Sequence, residues 1–112
     1  MADRETSPAF LALPKSARHV LAAIETEIAN NGGTWASVSH ADLMFTHHCG
    51  APSYPIRLLT YLGLLDRKPG RHNGAVYALS SRWQDLGETD VAKLVQLARE
   101  MRPRLQPQGA AK

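Results

Sequence analysis

The sequence is short of the features that announce chemistry or a membrane. It holds a single cysteine, Cys49, so no internal disulfide framework staples the chain, and a reduced, cytoplasmic setting is the expectation. No stretch approaches the ~18 apolar residues of a membrane span; the richest, from Ile56 to Leu65, is shorter and is interrupted by Arg57. The opening MADRETSPAF lacks the apolar heart of a secretory signal. Glycine does not gather into a phosphate loop, because PGRHNG (69–74) lacks the Gly-Lys-Ser/Thr ending and leads into a strand instead of a helix. His40, His47, His48 and Cys49 form the one cluster with metal-ligand chemistry. Their spacing fits no closed zinc pattern, since adjacent side chains at a helix end diverge and no second cysteine pair completes a tetrahedron. No signature of a nucleophile surrounds Cys49. The expectation is a non-enzymatic protein with no metal and no cofactor.

What is present is the composition of one globular domain. The chain has 112 residues, 44% of them hydrophobic and 21% charged, enough to bury roughly two thirds of the surface that the unfolded chain exposes. The formal charge of +3 is unevenly spread. Residues 1–50 are net acidic, whereas residues 51–82 carry Arg57, Arg67, Lys68, Arg71 and Arg82 against Asp66 alone. Positive charge is concentrated in the middle of the chain.

Apolar periodicity divides the chain into elements. Residues 1–13 show no sustained period and read as an arm, mobile at its tip, with Phe10 and Leu11 available to dock on a core. After Pro14, Val20, Leu21, Ile24 and Ile28 recur at helical spacing, predicting a first helix over 15–30 that stops at Asn30-Asn31-Gly32-Gly33. Thr34 to Val38 is a brief strand or an extended entry. Ser39 and Asp42 form a capping pair for a second short helix over 40–47. Two prolines in APSYP push Ala51 and Tyr54 off helical backbone, so a third helix is expected from Pro55, with Ile56, Leu59 and Leu62 on its apolar face and Gly63 as its stop. LLDRK and AVYAL flank the turn-rich PGRHNG and predict a β-hairpin over 64–79 with a basic tip. Trp35 and Trp83 read as lids on the core. A fourth helix runs from Asp90 to Met101, capped by Thr89 or Asp90, and the tail 103–112 has the composition of a disordered end.

The stretch RLLTYLGLLDRKPGRHNGAVYALSSRW (57–83) resembles the third-helix-and-wing signature of the winged helix-turn-helix superfamily. Leu59 stands four residues before Gly63; Leu64 and Leu65 follow; Arg67 and Lys68 make the strand basic; Gly70 and Gly74 mark the turn; Tyr77 and Leu79 form the return strand. Upstream, LPKSARHVLAAIETEIANNGGTWASVSHADL is similar to the first two helices of short bacterial and phage winged-helix domains in replication and transcription regulators. The resemblance covers residues 14–83. It implies an α+β winged helix-turn-helix fold, a three-helix core with a two-stranded wing, followed by an additional C-terminal helix over 84–102. It also implies a nucleoid-associated regulator that binds double-stranded DNA, with helix three in the major groove and the wing on the backbone. By position, Ser53, Tyr54, Arg57, Leu58 and Tyr61 would face the groove, with Thr60 at the margin, and Arg67, Lys68, Arg71 and His72 would meet phosphates. The alternative is a winged-helix module that docks a protein through APSYP and Tyr54 without reading DNA.

Arg57 is the one long donor on helix three, and a single arginine–guanine contact contributes about 1–3 kcal/mol of discrimination. Strong specificity therefore asks for the wing, DNA shape or a second copy. Val91, Leu94, Val95, Ala98 and Met101 form one apolar stripe on the fourth helix, and the expectation is a homodimer whose two-fold axis passes near Leu94 and Ala98. Closure of the core by the same stripe is the competing reading.

Overall fold

The computed structural model describes residues 4–70 and 75–100. The protein is α+β. After a 3-10 turn at Arg4–Thr6 come helix α1 (Pro8–Leu11), helix α2 (Lys15–Asn30), strand β1 (Ala36–Ser37), a π-helical turn (Asp42–Thr46), helix α3 (Ser53–Tyr61), strands β2 (Leu65–Pro69) and β3 (Ala75–Leu79), a 3-10 turn (Arg82–Asp85) and helix α4 (Glu88–Glu100). The strands form an antiparallel sheet in the order β1-β3-β2. Leu65 pairs with Leu79, Arg67 with Tyr77, and Ala36 with Tyr77 from the other side.

Residues 4–13, expected as an arm, instead form ordered helical turns on the body of the protein. Ser7 caps α1 by accepting from the Phe10 amide at 3.2 Å and donating to the Arg4 carbonyl at 2.6 Å. Ala9 and Leu13 are buried, while Leu11, expected to dock, is 62% exposed. The guanidinium groups of Arg4 and Arg18 lie over the Phe10 ring, 5.7 and 4.8 Å from its centre, an arrangement in which cations meet the negative π-face of the ring. Arg4 is further tied to Glu25 on α2.

α2 buries Val20, Leu21, Ile24 and Ile28. It ends where Asn31 and Gly33 donate back to the Ile28 carbonyl, with Gly32 and Gly33 at φ 93° and 86°, backbone that glycine adopts without penalty. The side chain of Asn31 then donates to the Trp35 carbonyl at 2.7 Å and fixes the entry to β1. The Ser39–Asp42 capping box forms as expected: the Asp42 amide donates to Ser39 Oγ at 3.0 Å and the Ser39 amide to Asp42 Oδ2 at 3.2 Å.

α3 begins two residues earlier than expected, at Ser53. Its first backbone bond runs from the Ile56 amide to the Pro52 carbonyl, so the missing N–H of Pro55 falls among the amides of a first turn that have no intrahelical partner anyway. The helix ends at Gly63, with φ 75°, and a Cβ there would lie 2.8 Å from the Arg82 side chain and from the Trp83 amide nitrogen. That close approach brings the end of α3 against the exit of the hairpin. Trp83 is buried as a lid. Trp35 is not part of the core: it is half-buried, and its ring carries Lys68 Nζ at 4.3 Å.

α4 packs on α3 and α1. Val91 is 5% exposed and Ala98 0%, and Leu94 and Val95 are packed on the same core. Val91 and Ala98 are thus taken up by the core of one copy and Leu94 and Val95 are half-buried against it, which favours the competing reading, closure of the core, over a dimer seam at these residues. Met101, the last residue of that set, lies outside the described residues, as do Arg71, His72 and the tail. No helix among the described residues is long and apolar enough to cross a membrane.

Candidate nucleic-acid interface

Apart from the buried Pro55, the residues of α3 divide into three stripes. Ile56 and Leu59 belong to the buried core. Tyr54 and Leu58, one turn apart, line a hollow with Ala12, Leu13, Pro14, Val95 and Arg99. Ser53, Arg57, Thr60 and Tyr61 form the third stripe, at spacings of four, three and one that keep them on one side of a helix. They line a shallow depression of about 320 Å³ whose remaining walls are His40, Ile56 and Arg67. The stripe thus faces the base of the hairpin, and Arg67 reaches it from β2.

Two expectations about α3 are corrected by this division. Leu58, assigned to the groove side, is 1% exposed; α4 and residues 12–14 cover a second flank of the helix. Tyr54 turns with Leu58 to that same flank, half-buried, and is parted from Ser53 and Arg57.

Arg57 is the centre of the remaining constellation. Its Nη1 has no hydrogen-bond partner among the described residues but is shielded from solvent, so that nitrogen of the guanidinium becomes available to a ligand only when the half-buried side chain turns out into the depression it borders. A planar fork of that kind fits a phosphate or the acceptor edge of a guanine. Thr60 Oγ1 donates to the Arg57 carbonyl at 2.9 Å, which keeps its hydroxyl close to the helix backbone.

The hairpin sorts its basic residues by the pleat of the strand. Arg67 lies on the face of β2 that meets α3 and is exposed. Lys68 points to the opposite face and sits over Trp35, so the two neighbours do not act on one ligand surface. Arg82 was not singled out from the sequence, and among the described residues it is the most engaged arginine of the segment. It donates to the carbonyls of Thr60 (3.2 Å) and Leu65 (2.9 Å), to Asp66 Oδ1 (2.9 and 3.1 Å) and to Ser80 Oγ (3.2 Å). No sequence signal separates it from its basic neighbours, because its partners come from three different elements. His40 was weighed only as a metal ligand and proves to be a wall of the depression.

The other members of the histidine–cysteine cluster are dispersed. His47 Nε2 meets Glu27 Oε2 of α2 at 2.6 Å, His48 holds a left-handed backbone at φ 58°, and Cys49 is buried. Burial pushes the Cys49 thiol up from its ordinary pKa. Among the described residues no three His, Cys, Asp or Glu side chains come together as a metal site.

No protein-family model, curated protein or solved structure matches the chain.

Proposed function

We propose that the protein is a non-enzymatic winged helix-turn-helix regulator of transcription or replication, acting in the cytoplasm on double-stranded DNA. The order α2, β1, π turn, α3, β2, β3, with β3 central in the sheet, supports the fold assignment. The observation that carries the function is the convergence of Arg57, Ser53 and Thr60 on α3 with Arg67 on β2 around one open depression, with Arg57 Nη1 unpartnered among the described residues. α3 lies in the major groove with Arg57 toward the base edges, and Arg67 holds the flanking phosphate backbone. Lys68, turned to the other face, contributes to the general field and makes no direct contact.

Anisotropy titrations of duplex DNA at two salt concentrations test this reading. Arg57→Ala and Arg67→Ala are expected each to lower affinity by about tenfold and to reduce the salt slope by about one unit for each phosphate that is no longer neutralised, with Lys68→Ala having a much smaller effect. If Arg57 reads a base, its removal equalises affinity among duplex sequences; if it holds phosphate, affinity falls uniformly. Unchanged affinity in both arginine variants refutes the assignment.

A further inference from the structure

A groove of about 460 Å³ runs between α1 and α4, with Pro8, Leu11 and Ala12 on one side. Its other wall is α4, where Val91 and Gln96 line it together with a stripe of Glu88, Ala92, Val95 and Arg99, at spacings of four, three and four that hold one face for three turns; Val95 also packs against the core. The floor is apolar, and Leu11 stands at its lip, 62% exposed. The two ends of the stripe are oppositely charged. Glu88 lies in the first turn of α4 and Arg99 in the last, about 16 Å apart along the axis, too far to meet within one copy. Neither has an ion-pair partner among the described residues.

We infer that this groove seats a second copy of the chain, in a two-fold antiparallel contact of α4 with α4 in which Glu88 of each copy meets Arg99 of the other. The stripe is its own complement in that orientation. With Glu88 opposite Arg99, Ala92 falls opposite Val95, so a small side chain faces a larger one at both central positions, and the pairing repeats by symmetry. A parallel arrangement sets like charges against each other at both ends. Leu11 flanks the contact and loses its exposure against the other copy's α4. The contact lies beside Val91, Leu94 and Ala98, which stay with the core of each copy, and takes in the exposed part of Val95, which is half-buried. This inference does not depend on the DNA-binding reading, and its test contains no nucleic acid.

Sedimentation equilibrium of the full chain from about 10 µM to 1 mM covers the range expected of a small interface. The mass should rise from 12.3 kDa toward twice that value. Glu88→Arg and Arg99→Glu, each placing like charges across the two-fold, should weaken association at least about tenfold. The double variant restores opposite charges with the signs exchanged and should recover most of the association. Both residues are exposed, and circular dichroism checks that each variant keeps its fold. Leu11→Glu supplies a second route and should leave a folded monomer. A parent chain that stays monomeric to 1 mM overturns the inference and leaves the groove to some other occupant. A double variant no better associated than the single ones overturns the antiparallel pairing.

Discussion

α3 and α4 are amphipathic helices packed against each other, and they differ in how many sides the fold covers. α3 is enclosed on two flanks, with Ile56 and Leu59 in the core and Tyr54 and Leu58 against the α4 side, so a single narrow stripe is left. α4 lies at the periphery and is covered along one stripe, leaving nine of its thirteen residues exposed. The difference shows where polar residues carry information. On a central helix nearly every position is claimed by packing, and an arginine with an unused donor there is notable. On a peripheral helix, charged residues are the default, and only a pattern such as Glu88 and Arg99 at opposite ends of one stripe says anything about a partner.

The largest effect expected from breaking this comparison comes from Leu58→Ala. A leucine enclosed by α4 and residues 12–14 should cost about 2–5 kcal/mol of stability on truncation, measured by urea unfolding. A leucine on a solvent-facing reading surface should cost close to nothing, as Thr60→Ala on the open stripe should, within about 0.5 kcal/mol. Arg82→Ala comes next. Its bonds to the Thr60 and Leu65 carbonyls predict a loss of about 1–2 kcal/mol, while its ion pair with Asp66, half-exposed on both sides, adds little. Thermal denaturation beside Arg99→Ala, expected to be near neutral in the monomer, sharpens the contrast between a fastened arginine and a free one.

The smallest effect concerns the approach to α3. The Cys49 thiol, with its pKa raised by burial, should react with a disulfide reagent slowly in the native state and rapidly once the protein is denatured. Because the folded state holds this proton more tightly than the unfolded one, the linked stability is fully present below the ordinary thiol pKa of about 8.5 and is lost as pH rises from there through the folded value. Cys49→Ala should flatten that alkaline decline, as read from thermal midpoints between pH 7 and 10.

The features legible in the sequence were those decided within a few residues. Asn31 to Gly33 stops α2, the Ser39–Asp42 box opens the second helical segment, Gly63 stops α3, and the strands on either side of PGRHNG pair in a hairpin. Each rests on local backbone chemistry. What escaped depended on distant neighbours. Leu58 was assigned to the open face because α4, which covers it, lies about thirty residues downstream. The same limit left α4's apolar stripe open between a dimer seam and closure of the core, since periodicity reports that a stripe must be covered and not by what. At the candidate site, Arg57, Ser53, Thr60, Tyr61 and Arg67 were named from the sequence and are brought together. Strand alternation carried the signal that Arg67 and Lys68 part company. Tyr54 was misplaced because proline rules were given more weight than the fact that Pro55 falls in a first turn.

Arg82 fastens the last turn of α3, the start of β2 and the exit of β3 with one side chain, at the point where Gly63 admits no added carbon. Helix and hairpin base are thereby fastened together, and on the proposed reading the span from Arg57 to Arg67 would act as a gauge instead of an adjustable grip. Such a gauge accepts or rejects by dimension. On the DNA-binding reading proposed above, a duplex whose groove matches the span would bind without rearranging the protein, and one that does not would itself have to be bent or widened, so that the work of adaptation would fall on the nucleic acid.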